Sequence, residues 1–291
     1  MSIVNGSTLI SAEDLAALAK EDATLRVFDC TVHLLPDPPR AYRIESGRAS
    51  WEAERLPGAG FLDLTGELSD QSARTAFTMP APDAAAAAFG AAGVVDGARI
   101  VLYASNHPMW ATRVWWMLHS LGVEATVLDG GLAAWKAAGL PLEAGPAEHA
   151  PGTLTVTPRA HAWADRDAVL AAIDDGTTCT VNALAPSMYR GDGDRSYGRP
   201  GHISGSVNVP YAALFADEQM RYADADAIRA HFDAAGAGDR RVILYCGGGI
   251  SATCGAFALT ALGRSDVAVY DGSMSEWVAD PELPMTVGEA P

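Results

Sequence analysis

The sequence predicts an α/β protein of two tandem domains, each a parallel β-sheet flanked by helices on both faces. Two observations predict this class. The first is an internal repeat: ARIVLYASNHPMWATRVWWMLHSLGVEATVLDGGLAAW (98–135) corresponds to RRVILYCGGGISATCGAFALTALGRSDVAVYDGSMSEW (240–277). Tyr103 and Tyr245, Asp129 and Asp271, and Trp135 and Trp277 are each 142 positions apart, so one pattern is written twice. The second is the order inside each copy: a short β-rich run, a loop, an apolar helix ending at Leu-Gly, and another β-rich run. That is a strand–helix–strand crossover, which handedness and burial place in a parallel sheet.

The elements follow in order. RVFDC and LPGAGFLDL give the first domain its early strands, and CTVNAL and GHISGSVNVP repeat them in the second. The alanine-rich run from Ala84 predicts a helix packed on the first sheet. IVLY and ATVLD are the next strands of the first copy, and VILY and VAVYD are those of the second. On the helix between the first pair, Trp115, Trp116 and Met117 predict core and interface packing rather than a ligand box. The acidic run at Asp224 and Asp226 predicts a solvated helix start. EAGPAEHAPGTLT carries Pro, Gly and polar residues without periodicity, as a linker does. The division is 1–145 for the first domain, 146–155 for the linker and 156–291 for the second domain.

The 291 residues are 49% hydrophobic and 19% charged, as in a globular protein with a sizeable core. A net charge of -16 argues against nucleic-acid or anionic-membrane surfaces, because the long-range field repels polyphosphate. The N-terminus lacks a basic leader followed by an apolar core, and the longest nearly apolar run, Ala84–Val95, is too short to span a bilayer. The expectation is a cytoplasmic protein without membrane partners. Cys30, Cys179, Cys246 and Cys254 form no CxxC pair, and the seven histidines form no HExxH motif, so neither a disulfide framework nor a metal site is expected.

The chemistry concentrates at VILYCGGGISATC, residues 242–254. A strand that ends in Cys246-Gly247-Gly248-Gly249 and turns into a helix brings the thiol to unpaired helix N-terminal amides. Successive glycines let those amides curl into an anion nest, a setting that favours thiolate over thiol. Ser251 is placed to cap the helix or to lend its hydroxyl to a bound anion. Three other readings compete. Cys246 could be a small buried core residue, as most lone cysteines are. Gly247-x-Gly249-x-x-Ala252 followed by Asp271 resembles a dinucleotide fingerprint, but the chain ends without the remaining strands. A cysteine phosphatase loop needs an arginine clamp at position 252, where Ala252 stands.

The duplicated halves, together with RVWWM (113–117), LDGG (128–131), RPGHISGSVNVP (199–210) and VAVYDGS (267–273), resemble the two-domain rhodanese family, the thiosulfate and 3-mercaptopyruvate sulfurtransferases, over nearly the whole chain. The resemblance implies two rhodanese-like domains and a nucleophile, Cys246, opening a six-residue loop of Cys246, Gly247, Gly248, Gly249, Ile250 and Ser251. The thiolate would take the outer sulfur of a donor, store it as a persulfide and pass it to cyanide, a thiol or a thioredoxin-like protein in two half-reactions. The first copy has Ala104 at the cysteine position, which implies a scaffold domain. No cofactor is implied.

Departures from the family pattern bear on the donor. Thiosulfate-using members carry basic side chains in the loop, and this loop has none. Mercaptopyruvate-using members carry a serine where Gly248 stands, with an Asp matched by Asp63 and a His where Thr78 stands. Asp63 reads equally as a structural carboxylate at a strand end. The family's substrate-gripping arginine falls at Met188, so Arg190, Arg195 and Arg199 are the candidates to hold the donor's anionic group. The expectation is a sulfurtransferase using thiosulfate first and 3-mercaptopyruvate second. The alternative is a sulfur-sensing or persulfide-binding module with little turnover. His202 is expected to be structural, and Cys254 to pack in its helix.

Overall fold

The computed structural model describes residues 8–37, 40–193 and 197–291. It divides into two compact units. One holds residues 8–159 and Asp217–Tyr222; the other holds Ala160–Ala216 and Ala223–Pro291.

The first unit contains β1 (Leu9–Ile10), α1 (Ala12–Glu21), β2 (Leu25–Asp29), β3 (Val32–Asp37), β4 (Arg40–Ser46), α2 (Arg48–Ala53), β5 (Gly60–Phe61), α3 (Pro82–Ala91), β6 (Arg99–Tyr103), α4 (Pro108–Ser120), β7 (Thr126–Leu128) and α5 (Gly131–Ala137). Its main sheet has the order β1-β7-β6-β2-β5, every pairing parallel. The antiparallel hairpin β3-β4 stands outside that sheet.

The second unit contains β8 (Trp163–Ala164), α6 (Arg166–Ala172), β9 (Thr178–Asn182), α7 (Pro186–Arg190), β10 (His202–Ile203), β11 (Val207–Asn208), a 3-10 turn (Tyr211–Leu214), α8 (Ala225–Ala234), β12 (Arg241–Tyr245), α9 (Ala252–Ala261), β13 (Val267–Tyr270), α10 (Ser273–Trp277) and β14 (Met285–Thr286). Its main sheet runs β11-β9-β12-β13-β8, again wholly parallel. This is the first sheet's order strand for strand, with β12 in the place of β6 and β13 in the place of β7. The repeat seen in the sequence is therefore a repeat of topology.

Burial explains the apolar runs. Ile100 to Tyr103 of β6 and Val242 to Tyr245 of β12 are all at most 2% exposed, because a parallel sheet is covered by helices on its faces. The alanine-rich helix α3 buries Ala85 and Phe89. Trp116 is buried in α4, and the indole of Trp115 donates to the Ala125 carbonyl at 2.7 Å. Asp224 caps α8 by accepting from the amides of Asp226 and Ala227, so the acidic run is a helix start.

Segment 146–155 runs against the first unit rather than free of it: the Gly152 amide donates to Gly90, and beyond it the Thr157 amide donates to Leu121. Sequence periodicity gave no sign that Asp217–Tyr222 packs with the first unit. There the Tyr222 amide donates to Asp129 Oδ1 at 2.9 Å.

Candidate active site

β12 delivers Cys246 to the carboxyl end of the second sheet, the edge where parallel α/β sheets hold their ligands. Residues 246–251 then turn into α9. Of the three loop glycines, only Gly249 has a left-handed backbone, at φ +71°, which a side chain would strain. Cys246 is 2% exposed, so only a small group can reach its sulfur.

The frame of the loop comes from α10. Ser273 Oγ accepts from the amides of Cys246 (3.1 Å) and Gly249 (3.0 Å) and donates to the Tyr270 carbonyl (2.8 Å). The Gly247 carbonyl accepts from the Ser275 amide (2.8 Å) and hydroxyl (2.7 Å), and the Cys246 carbonyl accepts from the Met274 amide (3.1 Å). Two loop amides are therefore engaged inside the protein. Among the described residues, the amides of Gly247, Gly248, Ile250 and Ser251 have no protein partner. Four unspent donors on a pinned loop beside a thiol can hold an anion without reorganising. Ser251 begins α9 but makes no capping bond with its side chain, which corrects the capping half of the expectation and leaves the hydroxyl uncommitted to the helix.

Two tyrosines adjoin the loop. Tyr197 lies directly over Gly247: a Cβ built there would sit 1.8 Å from its hydroxyl oxygen. Burial pushes the Tyr211 phenol up, and negative charge on Cys254 or Cys246 pushes it further.

The corresponding loop of the first unit is filled in. Ala104 replaces the cysteine, the Ser105 amide donates to Thr31 Oγ1 at 2.8 Å, and Asn106 donates to the Val32 carbonyl. A side chain there occupies the Ser105 amide, the counterpart of the Gly247 amide that the second loop leaves open.

The other predicted residues have partners of their own. Asp63 belongs to the first unit, where Oδ2 accepts from Ser46 (2.8 Å) and Oδ1 from the amide and hydroxyl of Thr65. It lines a cavity of about 390 Å³ with Arg48, Trp51, Phe61 and His149. Thr78, at the position of the family histidine, is bonded to Thr75. Arg190 pairs with Asp192 at 3.0 Å and borders a hollow of about 300 Å³ beside Asn208 and Glu289. Arg199 donates to the carbonyls of Asp280 and Leu283, both at 3.0 Å. Among the described residues, neither Arg190 nor Arg199 is hydrogen-bonded to the cysteine loop. Arg195 lies outside the described residues. His202 faces the carbonyls of Tyr189 and Ala290 and stacks on the Tyr189 ring. Cys254 is fully buried in α9.

Sequence reasoning passed over Ser273, Ser275, Tyr197 and Tyr211. One signal was available for Ser273. The first copy has Gly131 at that position, with φ +52°, and Ser273 keeps the same left-handed backbone at φ +48°. A serine where the sister copy uses glycine marks a hydroxyl retained at a conformational cost.

No helix among the described residues is long and apolar enough to cross a membrane. None of their His, Cys, Asp and Glu side chains cluster in a group able to hold a metal ion.

A sequence profile described as Rhodanese-like domain matches residues 11–138 and 190–280. The chain is 32% identical to a Pseudomonas aeruginosa protein named a probable 3-mercaptopyruvate sulfurtransferase, over 98% of this chain and all of that one. It is 29% identical to the Arabidopsis thaliana thiosulfate/3-mercaptopyruvate sulfurtransferase 2, over 91% of this chain and 82% of that one. The crystal structure of SseA from Escherichia coli, described as a 3-mercaptopyruvate sulfotransferase of rhodanese fold, superposes with a TM-score of 0.80 at 28% identity, covering 92% of this chain and 98% of that one. With its duplicated parallel sheets and these matches, the chain belongs to the rhodanese family, with two rhodanese-like domains.

Proposed function

We propose that this protein is a sulfurtransferase that carries sulfur as a persulfide on Cys246, taking it from thiosulfate or 3-mercaptopyruvate. The observation that carries the reading is the coincidence of one thiol with four loop amides left open on a frame fixed by Ser273 and Ser275. A persulfide is an anion, and open amides on a fixed loop beside the thiol can stabilise it.

With thiosulfate, the Cys246 thiolate attacks the outer sulfur, the S–S bond of the donor breaks, and sulfite leaves with the electron pair. With 3-mercaptopyruvate the C–S bond breaks, and the leaving enolate takes up a proton as pyruvate. In the second half-reaction a soft nucleophile removes the outer sulfur and restores the thiolate; cyanide leaves as thiocyanate, and a thiol leaves as a persulfide. A dithiol protein of the thioredoxin type has the same chemistry as acceptor. The relatives, whose names include both donors, support the reaction class. The cysteine-free loop of the first unit suits a scaffold role for that domain. Four free, buried cysteines suit a reducing compartment such as the cytoplasm.

The test is a donor panel of thiosulfate, 3-mercaptopyruvate and an organic persulfide, with cyanide or thiol as acceptor. Turnover with at least one donor and its loss in Cys246→Ser support the reading. Failure with every donor favours a persulfide-binding module of the same fold.

A further inference from the structure

We infer that Ser275 is a positioning residue for sulfur transfer: its hydroxyl holds the peptide between Gly247 and Gly248 in the orientation that turns the Gly248 amide away from α10 and leaves it open to the anion carried on Cys246. The inference rests on the sulfurtransferase reading and adds to it which amides carry the charge and what keeps them in place.

A trans peptide is planar, with its carbonyl oxygen and its amide hydrogen pointing in opposite directions. Fixing one therefore fixes the other. The Met274 amide binds the Cys246 carbonyl at 3.1 Å, and the amide and hydroxyl of Ser275 bind the Gly247 carbonyl at 2.8 and 2.7 Å. Both carbonyls face α10, so the amides of Gly247 and Gly248 face away from it. The amides of Cys246 and Gly249 point the other way, onto Ser273 Oγ. Charge on Cys246 is felt at Tyr211, a residue anchored to Ala183 on the β9 side of β12, across from β13 and α10. Of the four open amides, the two that directly follow the cysteine thus have their direction set by α10.

Nothing in the two glycines themselves holds this orientation. Neither has a left-handed φ, but a half-turn of the peptide between them requires only that Gly248 take one, which glycine does at little cost. The flip would point the Gly247 carbonyl oxygen where the Gly248 amide now points and set the negative end of a dipole against an anion. Ser275 opposes it with two hydrogen bonds on one oxygen. The sister copy shows that the hydroxyl is not a requirement of the fold. There the Leu132 amide binds the Ala104 carbonyl at 3.1 Å as Met274 binds Cys246, yet Ala133 stands where Ser275 does and Gly131 where Ser273 does. Both hydroxyls occur only in the copy that has the cysteine.

The consequence falls on rate rather than on folding. Two adjacent amides turned to one side each offer a hydrogen bond to an anion, and such bonds to a charge are stronger than neutral ones. Ser275 is half-buried, and its own amide still holds the Gly247 carbonyl when the hydroxyl is removed. The fold then keeps one of the two bonds, while the peptide gains freedom to turn.

The experiment uses the full chain with Ser275→Ala, Ser275→Thr, Gly248→Ala, and Ser275→Ala combined with Gly248→Ala. A side chain at 248 fits the loop as it stands, since its Cβ would meet nothing nearer than Ser275 Oγ at 3.8 Å, but it disfavours the left-handed φ that the flipped peptide requires. Gly248→Ala is thus a lock on the peptide that does not involve Ser275. Melting temperatures are recorded, and kcat is measured with thiosulfate and with 3-mercaptopyruvate. Ser275→Ala should melt within about 4 °C of the parent and lower kcat about three- to tenfold, the worth of one hydrogen bond. Ser275→Thr, which keeps the hydroxyl, should restore most of that rate. Made in the Gly248→Ala background, Ser275→Ala should cost about twofold or less, because the lock already holds the peptide. An unchanged kcat in Ser275→Ala overturns the inference. So does a penalty as large in the Gly248→Ala background as in the parent, or a Ser275→Ala protein that fails to fold, since the hydroxyl would then be structural only. Equal penalties in a protein that does transfer sulfur sink this inference alone; an unaltered protein that takes sulfur from neither donor sinks the sulfurtransferase reading and the inference with it.

Discussion

Ser273 holds Cys246 by its backbone: the serine hydroxyl accepts the cysteine amide at 3.1 Å while also accepting the Gly249 amide. The loop around the thiol is thereby fixed from α10. The residue that does this has a left-handed backbone at φ +48°.

Ser273→Ala should cost about 2–3 kcal/mol, because two buried amides and the Tyr270 carbonyl lose their partner. It should also slow transfer at least about tenfold through loss of loop preorganisation. Ser273→Gly should recover about 1 kcal/mol of that stability by relieving the backbone, with no recovery of rate. Chemical denaturation and steady-state rates measured on both variants separate strain from positioning.

The three loop glycines should respond differently to alanine. Gly249→Ala should lose about 1–2 kcal/mol and slow the reaction, since φ +71° is unfavourable for a side chain. Gly248→Ala should stay within about 0.5 kcal/mol of the parent, having open space around it. Equal losses at both positions would contradict the loop geometry described.

The sequence made the repeat, the parallel sheets and the cysteine loop legible because each is local. β-rich runs, Leu-Gly helix ends and a strand that stops at Cys-Gly-Gly-Gly are all written in consecutive residues. What holds the loop was not legible, because it is contributed from far along the chain: Ser273 from 27 residues on and Ser275 from 28 on relative to their bonded partners. Tyr197 reaches Gly247 across even more of the chain, and no periodicity announces such a contact. The arginines show the opposite difficulty. Arg199 is a charged residue in a loop, which suggests ligand binding, and nothing in the sequence shows that it also donates to two backbone carbonyls. Asp63 is likewise satisfied by Ser46 and Thr65.

The first unit should carry a pH dependence of its own. Burial pushes the Asp29 carboxyl up to about 6, against hydrogen bonds from Thr31, and the unfolded value is about 4. A raised native value means that stability is fullest below the unfolded value and is lost as pH rises through about 6. At pH 7.5 the charged form costs on the order of 2–3 kcal/mol. Asp29→Asn should therefore stabilise the protein at pH 7.5 and make no difference near pH 4. The second unit already has Asn182 in this place, its Oδ1 accepting the Leu184 amide at 2.8 Å. Burial also raises Asp129, to about 6, so part of the slope should persist in the variant. Melting curves of both proteins across pH 4–8 check the difference.

The central claim is that sulfur passes through one atom, the sulfur of Cys246, cradled by the loop amides. Its most direct measurement is peptide-resolved mass spectrometry of the protein after incubation with donor and again after cyanide. The account predicts the added mass of one sulfur atom on fragments that hold Cys246 but not Cys254, none on the peptides of Cys30 or Cys179, and removal of that mass by cyanide. Sulfur retained on Cys254 alone, or transfer to cyanide that continues in Cys246→Ser, would contradict it.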